Sequence, residues 1–542
     1  MSSRPDRTDQ AAQRESGGFD MSKQYIIAHD VGTSGDKAVL VDTEGAIHAS
    51  AFHPYPIHYP RPDWAEQEPE DWWQAVTRTT RQVIEKSGVA PQDVLGMIYA
   101  TQLLGIVPMS EGGQPLRRAI IWLDGRAPQQ AERIMAKFLG RRVFAALAGA
   151  EISGKDGLPK LLWLKENEPT IYDAMTGFLD VNGYLTYRAT GEQVFEWSCA
   201  SAFGLDLKKK DWLRTIFGYI GIDLQKLPPL VRSVDRVGVL TSQAAQACGL
   251  LEGTPIFGGG GDAVMAAVGS GAVGEGEGHI YLGTSGWVGV VTHKTPTGRH
   301  GVATIHSADP GKAMLFAEME TAGACLKWIA DEFYRHEQAD PAIPNVYVLM
   351  DQDVETIPPG SEYLVCTPWM YGERSPVSDT WVRSTFFNLS ADHKREHLLR
   401  AVYEGVAYNL RWIVEIVEQT FGFPLPVLRV IGGGARGRPW MQIIADVTGR
   451  RVETVAQPQE AGAVGAALTA AVGLGVYPDF EALKRVVRVE HEFAPQAQNA
   501  PIYDVLFLTY RRLYHCLQDL YRNVNEVRFR ASAQPPKQSD EQ

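Results

Sequence analysis

Between Tyr25 and Gln102 the chain alternates short apolar runs with one long amphipathic stretch. YIIAHD, at Tyr25–Asp30, has the β-branched and aromatic character of a strand, and KAVLVDTEGAIHASAF, at Lys37–Phe52, reads as two strands around a turn at Glu44–Gly45. In EPEDWWQAVTRTTRQVIEKSG the period becomes helical, with acids in the first turn and Gly88 at the end. VLGMIYATQ returns to strand and QQAERIMAKFLGRRVFAAL to helix; this alternation predicts an α/β fold. From Gly154 to Pro229 the pattern is less regular. LPKLLWLKENEPTIYDAM is predicted helical as far as Pro169, and LPPLV, at Leu227–Val231, as a loop. GTPIFGGGGD restarts the strand pattern, which puts a domain boundary near Thr254.

The second half then repeats the first. IYLGTSGWVGVV, at Ile280–Val291, carries the tetrapeptide GTSG already met at Gly32–Gly35, and long helical stretches such as EHLLRAVYEGVAYNLRWIVEIVEQTF follow. A duplicated domain with a cleft between the copies is the simplest account. The copies differ in one respect: an acid, Asp30, stands before the first turn and Leu282 before the second.

A length of 542 residues suggests two to four domains, and 44% hydrophobic with 21% charged residues is the composition of a soluble globular protein. A net charge of −12 disfavours nucleic acid as a partner but leaves room for a local basic cluster around a phosphorylated metabolite. The five cysteines are scattered and unpaired in pattern, as in a reducing cytoplasm, so the expected location is cytoplasmic. No apolar run reaches a membrane span, and the polar first twenty or so residues do not resemble a secretory signal. Residues 1–22 and 526–542 are expected as disordered tails around domains at 23–254 and 255–525.

A glycine turn after a strand lets backbone N–H groups converge on an anion, and Thr and Ser hydroxyls add donors. One turn suits one phosphate; two turns across a cleft suit the phosphate chain of a nucleotide. A carboxylate beside polyphosphate needs a cation between them, so Asp30 points to Mg²⁺ at the first turn. The near P-loop GAEISGKD, at Gly149–Asp156, lacks the final Ser/Thr and follows a helical run, and GSGAVG, at Gly269–Gly274, has no strand before it. PVLRVIGGGARGRPWMQIIADVTG is more informative, because a strand meets three glycines and then an amphipathic helix, a setting for base, ribose or α-phosphate. Asp262 ends a run of four glycines at the start of an Ala/Val/Met helix. As a helix cap it would need no glycines before it; as a proton acceptor beside a phosphate site it would profit from the close approach that glycine allows.

Together these stretches resemble the FGGY family of carbohydrate kinases, xylulokinase-like branch, from Tyr25 to Tyr521. DVGTSGDKAVLVD resembles its first phosphate motif, GGGGDAVMAAVG and YLGTSGWV its catalytic and second phosphate motifs, and DWAEQEPEDWWQA, IIWLDGRA, GERSP, HLLRAVYEGVAYNLR and IGGGARGRPWMQIIADVTG follow in the family's order. The resemblance implies two actin-like, ribonuclease-H-like domains, with ATP and a sugar or polyol in the cleft between them and Mg²⁺-dependent transfer of the γ-phosphoryl group. Asp262 falls on the general base. Gly32, Thr33, Ser34, Gly283, Thr284 and Ser285 fall on the phosphate turns, and Gly433, Gly434 and Ala435 border the adenosine. Gln102, Leu103, Asp124, Arg126 and Asp262 are the implied acceptor contacts and Asp30 the metal residue.

The departures bear on the acceptor. Leu104 stands where the branch has a sugar-contacting His, Leu123 where it has Asn, and Ala263 where Asn follows the catalytic acid. A pocket that has lost hydrogen-bonding partners should take D-xylulose, the default acceptor, poorly and a less hydroxylated polyol better. A regulator without catalysis on the same scaffold, and a mechanical ATPase, stay open as alternatives, as do monomer and homodimer.

Overall fold

The computed structural model describes residues 24–148 and 151–532, so residues 1–22, expected as a tail, lie outside the described residues. Each half of the chain builds a seven-stranded mixed sheet. In the first half, β1 (Tyr25–Val31) and β2 (Gly35–Asp42) form a hairpin, β3 (Ile47–Pro54) adds antiparallel to β2, and helix α1 (Pro69–Ser87) leads over to β4 (Val94–Thr101), parallel to β1. α1 ends as its sequence dictates: Glu70 and Asp71 sit in the first turn, and Gly88 takes a left-handed φ of 67° with its N–H on the Ile84 carbonyl. Beyond β4 lie β5 (Arg236–Val239) and β6 (Pro255–Phe257), while β7 (Gly260–Gly261) pairs with the end of β4.

The strands that follow Thr254 therefore still belong to the first sheet, and the chain leaves it only at helix α2 (Asp262–Ser270). The second sheet repeats the hairpin-plus-parallel-strand core: β8 (Gly278–Leu282) and β9 (Gly286–Thr292) form the hairpin, β10 (Val302–His306) and β11 (Ala313–Met319) continue it, and β12 (Val427–Ile431) lies parallel to β8. β13 (Arg451–Val455), helix α3 (Ala461–Gly473) and β14 (Val489–Phe493) complete the half.

The two halves exchange helices. α3, from the second half, packs on β1, β2 and β4, and α2, which follows the first sheet, packs on β8, β9 and β12. One core joins Ile26, Ala28 and Ile98 of the first sheet to Met314 and Ile431 of the second through both helices. The helices cross closely because glycine faces backbone at the crossing. A Cβ on Gly269 would lie 1.7 Å from the Ala461 carbonyl oxygen, and one on Gly465 1.9 Å from that of Met265.

The expectations for other segments need adjustment. QQAERIMAKFLGRRVFAAL is two helices, Pro128–Lys137 and Arg141–Ala148, broken where Leu139 and Gly140 take positive φ. Leu230–Val231, expected as loop, pairs with Phe195–Glu196. The last helix, Ala500–Ser532, runs through residues 526–532 of the expected tail. Among the described residues no helix is long and apolar enough to cross a membrane.

Candidate active site

Both GTSG turns connect the strands of a hairpin, in different registers. The first closes with Gly32 N–H on the Gly35 carbonyl at 3.1 Å, the second, one residue tighter, with Gly283 N–H on the Ser285 carbonyl at 3.0 Å. In both, the protein consumes the carbonyl oxygens, which would repel an anion. The Gly32 carbonyl accepts from the Tyr55 hydroxyl and from Gln102 Nε2, the Thr33 carbonyl from Gln67 Nε2 at 2.7 Å, and the Ser34 carbonyl from Tyr55 N–H. The Gly283 and Thr284 carbonyls accept from Ala322, Gly323 and Ala324 at the start of helix Gly323–Phe333. Ser34 and Thr284 are exposed, and Gly32, Thr33, Gly283 and Ser285 half-buried. Trp122 Nε1 donates to Thr33 Oγ1 at 2.8 Å, tying the first turn to the WLDGR segment. Counted back from the turns, the residue equivalent to Asp30 is Tyr281, not Leu282; its ring stacks on Trp287 at 4.0 Å, and a Cβ on Gly283 would meet it at 2.4 Å.

Asp30 lies at the end of β1 against the first turn of α3, where a Cβ on Gly462 would lie 3.3 Å from Asp30 Oδ2. Burial pushes its carboxyl up to about 6, against the pull of Lys37. Asp262 is the first residue of α2; the cap position belongs to Gly261, and Asp262 Oδ1 only accepts from the next amide, Ala263 N–H, at 2.7 Å. Its side chain therefore does not serve as the helix cap. Burial first, then Asp30 and Glu318, push its carboxyl up to about 7. The glycine run before it has a reason other than the approach of a ligand. A Cβ on Gly258 would lie 2.1 Å from the Arg232 carbonyl, one on Gly259 2.2 Å from that of Tyr99, and one on Gly261 2.6 Å from Leu103 Cδ2. The glycines fit the protein's own chain around Asp262.

The expected acceptor contacts divide. Gln102, 2% exposed, donates to Gln67 Oε1 at 2.9 Å, and its own Oε1 is buried without a partner. Leu103 lies over Gly261, and Leu104, 8% exposed, holds a left-handed φ of 63°. Asp124 and Arg126 are buried. Their side chains are fully buried in an ion-pair cluster in which Arg126 bonds both Asp124 oxygens and Glu66 and stacks 3.8 Å over Trp64. The cluster holds the WLDGR segment in shape, and Arg126 keeps Nη1 buried without a partner. Ala263 is wholly buried in the core that the two halves share. The opposite wall, missed from sequence although GERSP contains it, is Arg374. It bonds Glu318 and, at 2.7 Å, Glu320, lies 5.8 Å over Trp122, and keeps Nη2 buried without a partner. Lys155, in the near P-loop stretch, reaches across to Glu320 at 3.0 Å; the stretch lies between helices, with Gly149 and Ala150 outside the described residues. GSGAVG begins in the last turn of α2, and its Gly269 serves helix packing.

At the far end, Gly433–Arg436 forms a short turn after β12. Gly433 is exposed with open space where a Cβ would point, Gly434 is crowded by Trp440 and Leu282, and Ala435 is buried. The cleft thus strings together two turns with occupied carbonyls, two buried carboxylates of raised proton affinity, and an open glycine turn. Such a set can hold a phosphate chain, shed charge repulsion through a cation, and take a proton from a hydroxyl.

Known proteins match this arrangement over nearly the whole chain. The N-terminal-domain model of the FGGY family of carbohydrate kinases matches residues 25–269 and the C-terminal-domain model residues 278–474. A xylulose kinase from Bacillus subtilis (strain 168) is 33% identical over 510 residues, 93% of this chain and 99% of the relative. A gluconokinase from the same organism is 27% identical, over 92% of this chain and 97% of its own length. The crystal structure of xylulose kinase from Rhodospirillum rubrum superposes with a TM-score of 0.81 at 27% identity, covering 92% of this chain and all of that one.

Proposed function

The chain belongs to the FGGY family of carbohydrate kinases, and on that premise we propose how its cleft divides the work of phosphoryl transfer. The protein is an ATP-dependent carbohydrate kinase with the two-domain, actin-like ATPase fold, and its similarity to xylulose kinases gives no support to a regulator without catalysis. The observation that carries the mechanism is the position of Asp262: at the first turn of α2, its side chain free of the capping role, in the field of Asp30 and of Glu318 from the second half. Gly32, Thr33 and Ser34 on one side and Gly283, Thr284 and Ser285 on the other hold the phosphates, while Gly433, Gly434 and Ala435 border the adenosine. Asp262 orients the acceptor hydroxyl and takes its proton as the phosphoryl group moves.

Asp30 and Asp262 fit Mg²⁺, which takes one or two carboxylates and fills its shell with water and phosphate oxygens. Among the described residues no larger cluster of His, Cys, Asp and Glu competes for it. Bound there, the ion would neutralise phosphate charge; Asp30 would hold it, directly or through water.

The acceptor is a sugar or polyol, with xylulose as the reference. Gln102 Oε1, Arg126 Nη1 and Arg374 Nη2, each buried without a partner, suit hydroxyl groups. Leu103, Leu104 and Leu123 make the adjoining surface apolar, so D-xylulose is expected to be a poor substrate beside a less hydroxylated acceptor. Steady-state kinetics with ATP over pentuloses, hexuloses, tetritols, pentitols and gluconate tests this. A kcat/KM for D-xylulose far above every other acceptor would refute the specificity, and no turnover of any would count against the mechanism.

A further inference from the structure

Behind the glycine run lies a buried acid with no part in the reading above. Glu196 ends the short pairing of Phe195–Glu196 with Leu230–Val231 and caps helix Trp197–Ser201. It is 0% exposed, and no basic side chain pairs with it among the described residues. Four donors converge on it: the amides of Ser198 at 2.7 Å and Cys199 at 3.2 Å, the Ser198 hydroxyl, and the Ser233 hydroxyl at 2.7 Å. Ser198 Oγ in turn accepts the Gly261 N–H at 3.0 Å. Because that amide can only donate, the Ser198 proton points at Glu196, and the chain Gly261 N–H, Ser198 O–H, Glu196 carboxylate runs in one direction.

Two details make this more than a helix cap. A five-residue helix could be capped by a Ser or Asp, whereas a carboxylate buried without a cation is expensive to keep. The glycine run is also shaped around the brace: a Cβ on Gly260 would lie 2.8 Å from Ser198 Oγ and 3.0 Å from Glu196 Oε2. Gly261 is the residue before Asp262. The other end of the short helix touches the second half, where His306 N–H donates to Ser201 Oγ at 3.0 Å and the Trp197 and His306 rings lie 4.7 Å apart. We infer that Glu196 is a positioning residue for Asp262: through Ser198 it fixes the Gly261 peptide and so the point from which the Asp262 carboxylate reaches the acceptor hydroxyl. The inference rests on the reading of Asp262 as the proton acceptor.

A double-mutant cycle on the full chain tests it. Glu196→Gln and Ser198→Ala are measured alone and over Asp262→Asn, with sugar-phosphate formation at saturating ATP and the best acceptor, KM for ATP, and thermal melting. Misplacing the carboxylate is expected to lower kcat about 10-fold in each single variant while KM for ATP stays within about twofold. Over Asp262→Asn the same changes should cost less than about twofold, since no carboxylate remains to be placed. Ser198→Thr, which keeps the hydroxyl, should restore most of the rate. Equal losses with and without Asp262 would make Glu196 an ordinary structural residue and overturn the inference, as would a wild-type kcat in Ser198→Ala. If Glu196→Gln does not fold, the Ser198 variants carry the decision. A wild-type rate in Asp262→Asn alone would instead remove the proton acceptor itself, a separate failure.

Discussion

At Asp262 the fold works against the charge that the chemistry needs. Burial and two neighbouring acids push its carboxyl up to about 7, yet a proton acceptor must be ionised, so kcat/KM should rise as pH passes through that value. The same shift has a consequence for stability. The folded protein holds this proton more tightly than the unfolded chain, whose carboxyl titrates near the ordinary 3.8, so stability is lost as pH climbs from about 4 to about 7 and then levels. Asp262→Asn has no such loss; its melting temperature should exceed that of wild type at pH 8, with the gap closing towards pH 4. A variant that melts below wild type at pH 8 would show that the carboxylate is stabilising where it stands. Asp30→Ala should lower turnover heavily and abolish the wild-type Mg²⁺ dependence while leaving the melt intact; unchanged metal titration would remove Asp30 from the metal. Asp262 and Asp30 stand out in the sequence because an acid after glycines or before a GTSG turn is unusual, and the structure places both in buried positions. The ion-pair cluster of Asp124 and Arg126 with Glu66 is not legible, because the motif looks the same in sequence whatever its side chains pair with.

The two hairpins show what pattern reasoning captures at the level of elements and what it misses. Repetition of GTSG between β-branched runs reveals that the same element is built twice, but not that one copy turns a residue earlier, because register is settled by pairing partners outside the motif. Leu230–Val231 is unreadable for a related reason: a two-residue strand exists only through its partner at Phe195–Glu196. The glycines of α2 and α3 carry a testable load. In Gly465→Val the new Cβ would sit 1.9 Å from the Met265 carbonyl oxygen, so the helices must separate. The expected cost is about 3 kcal/mol or more, read as a clear drop in denaturant midpoint, with activity falling further because α2 carries Asp262. A variant as stable as wild type would mean that the helices do not need the close crossing.

At the scale of the whole molecule, two sheets, each with a GTSG turn at one hairpin, exchange the helices between them, and the proposed site falls where the halves meet. Lys37 with Glu460 at 3.3 Å and Lys155 with Glu320 at 3.0 Å link the two halves of the chain around that cleft. The duplication, the α/β class and the family are readable from ordered motifs; the passage between halves is not, because sheet membership of Pro255–Gly261 depends on pairing with β4, far earlier in the chain. What the arrangement is for turns on one acid. Asp262→Asn keeps the size of the side chain and leaves Gly261 as the cap, so folding and ATP binding should persist, while sugar-phosphate formation with the best acceptor falls by at least about 10²-fold. A folded Asp262→Asn protein that binds ATP and phosphorylates that acceptor at close to the wild-type rate would contradict the mechanism.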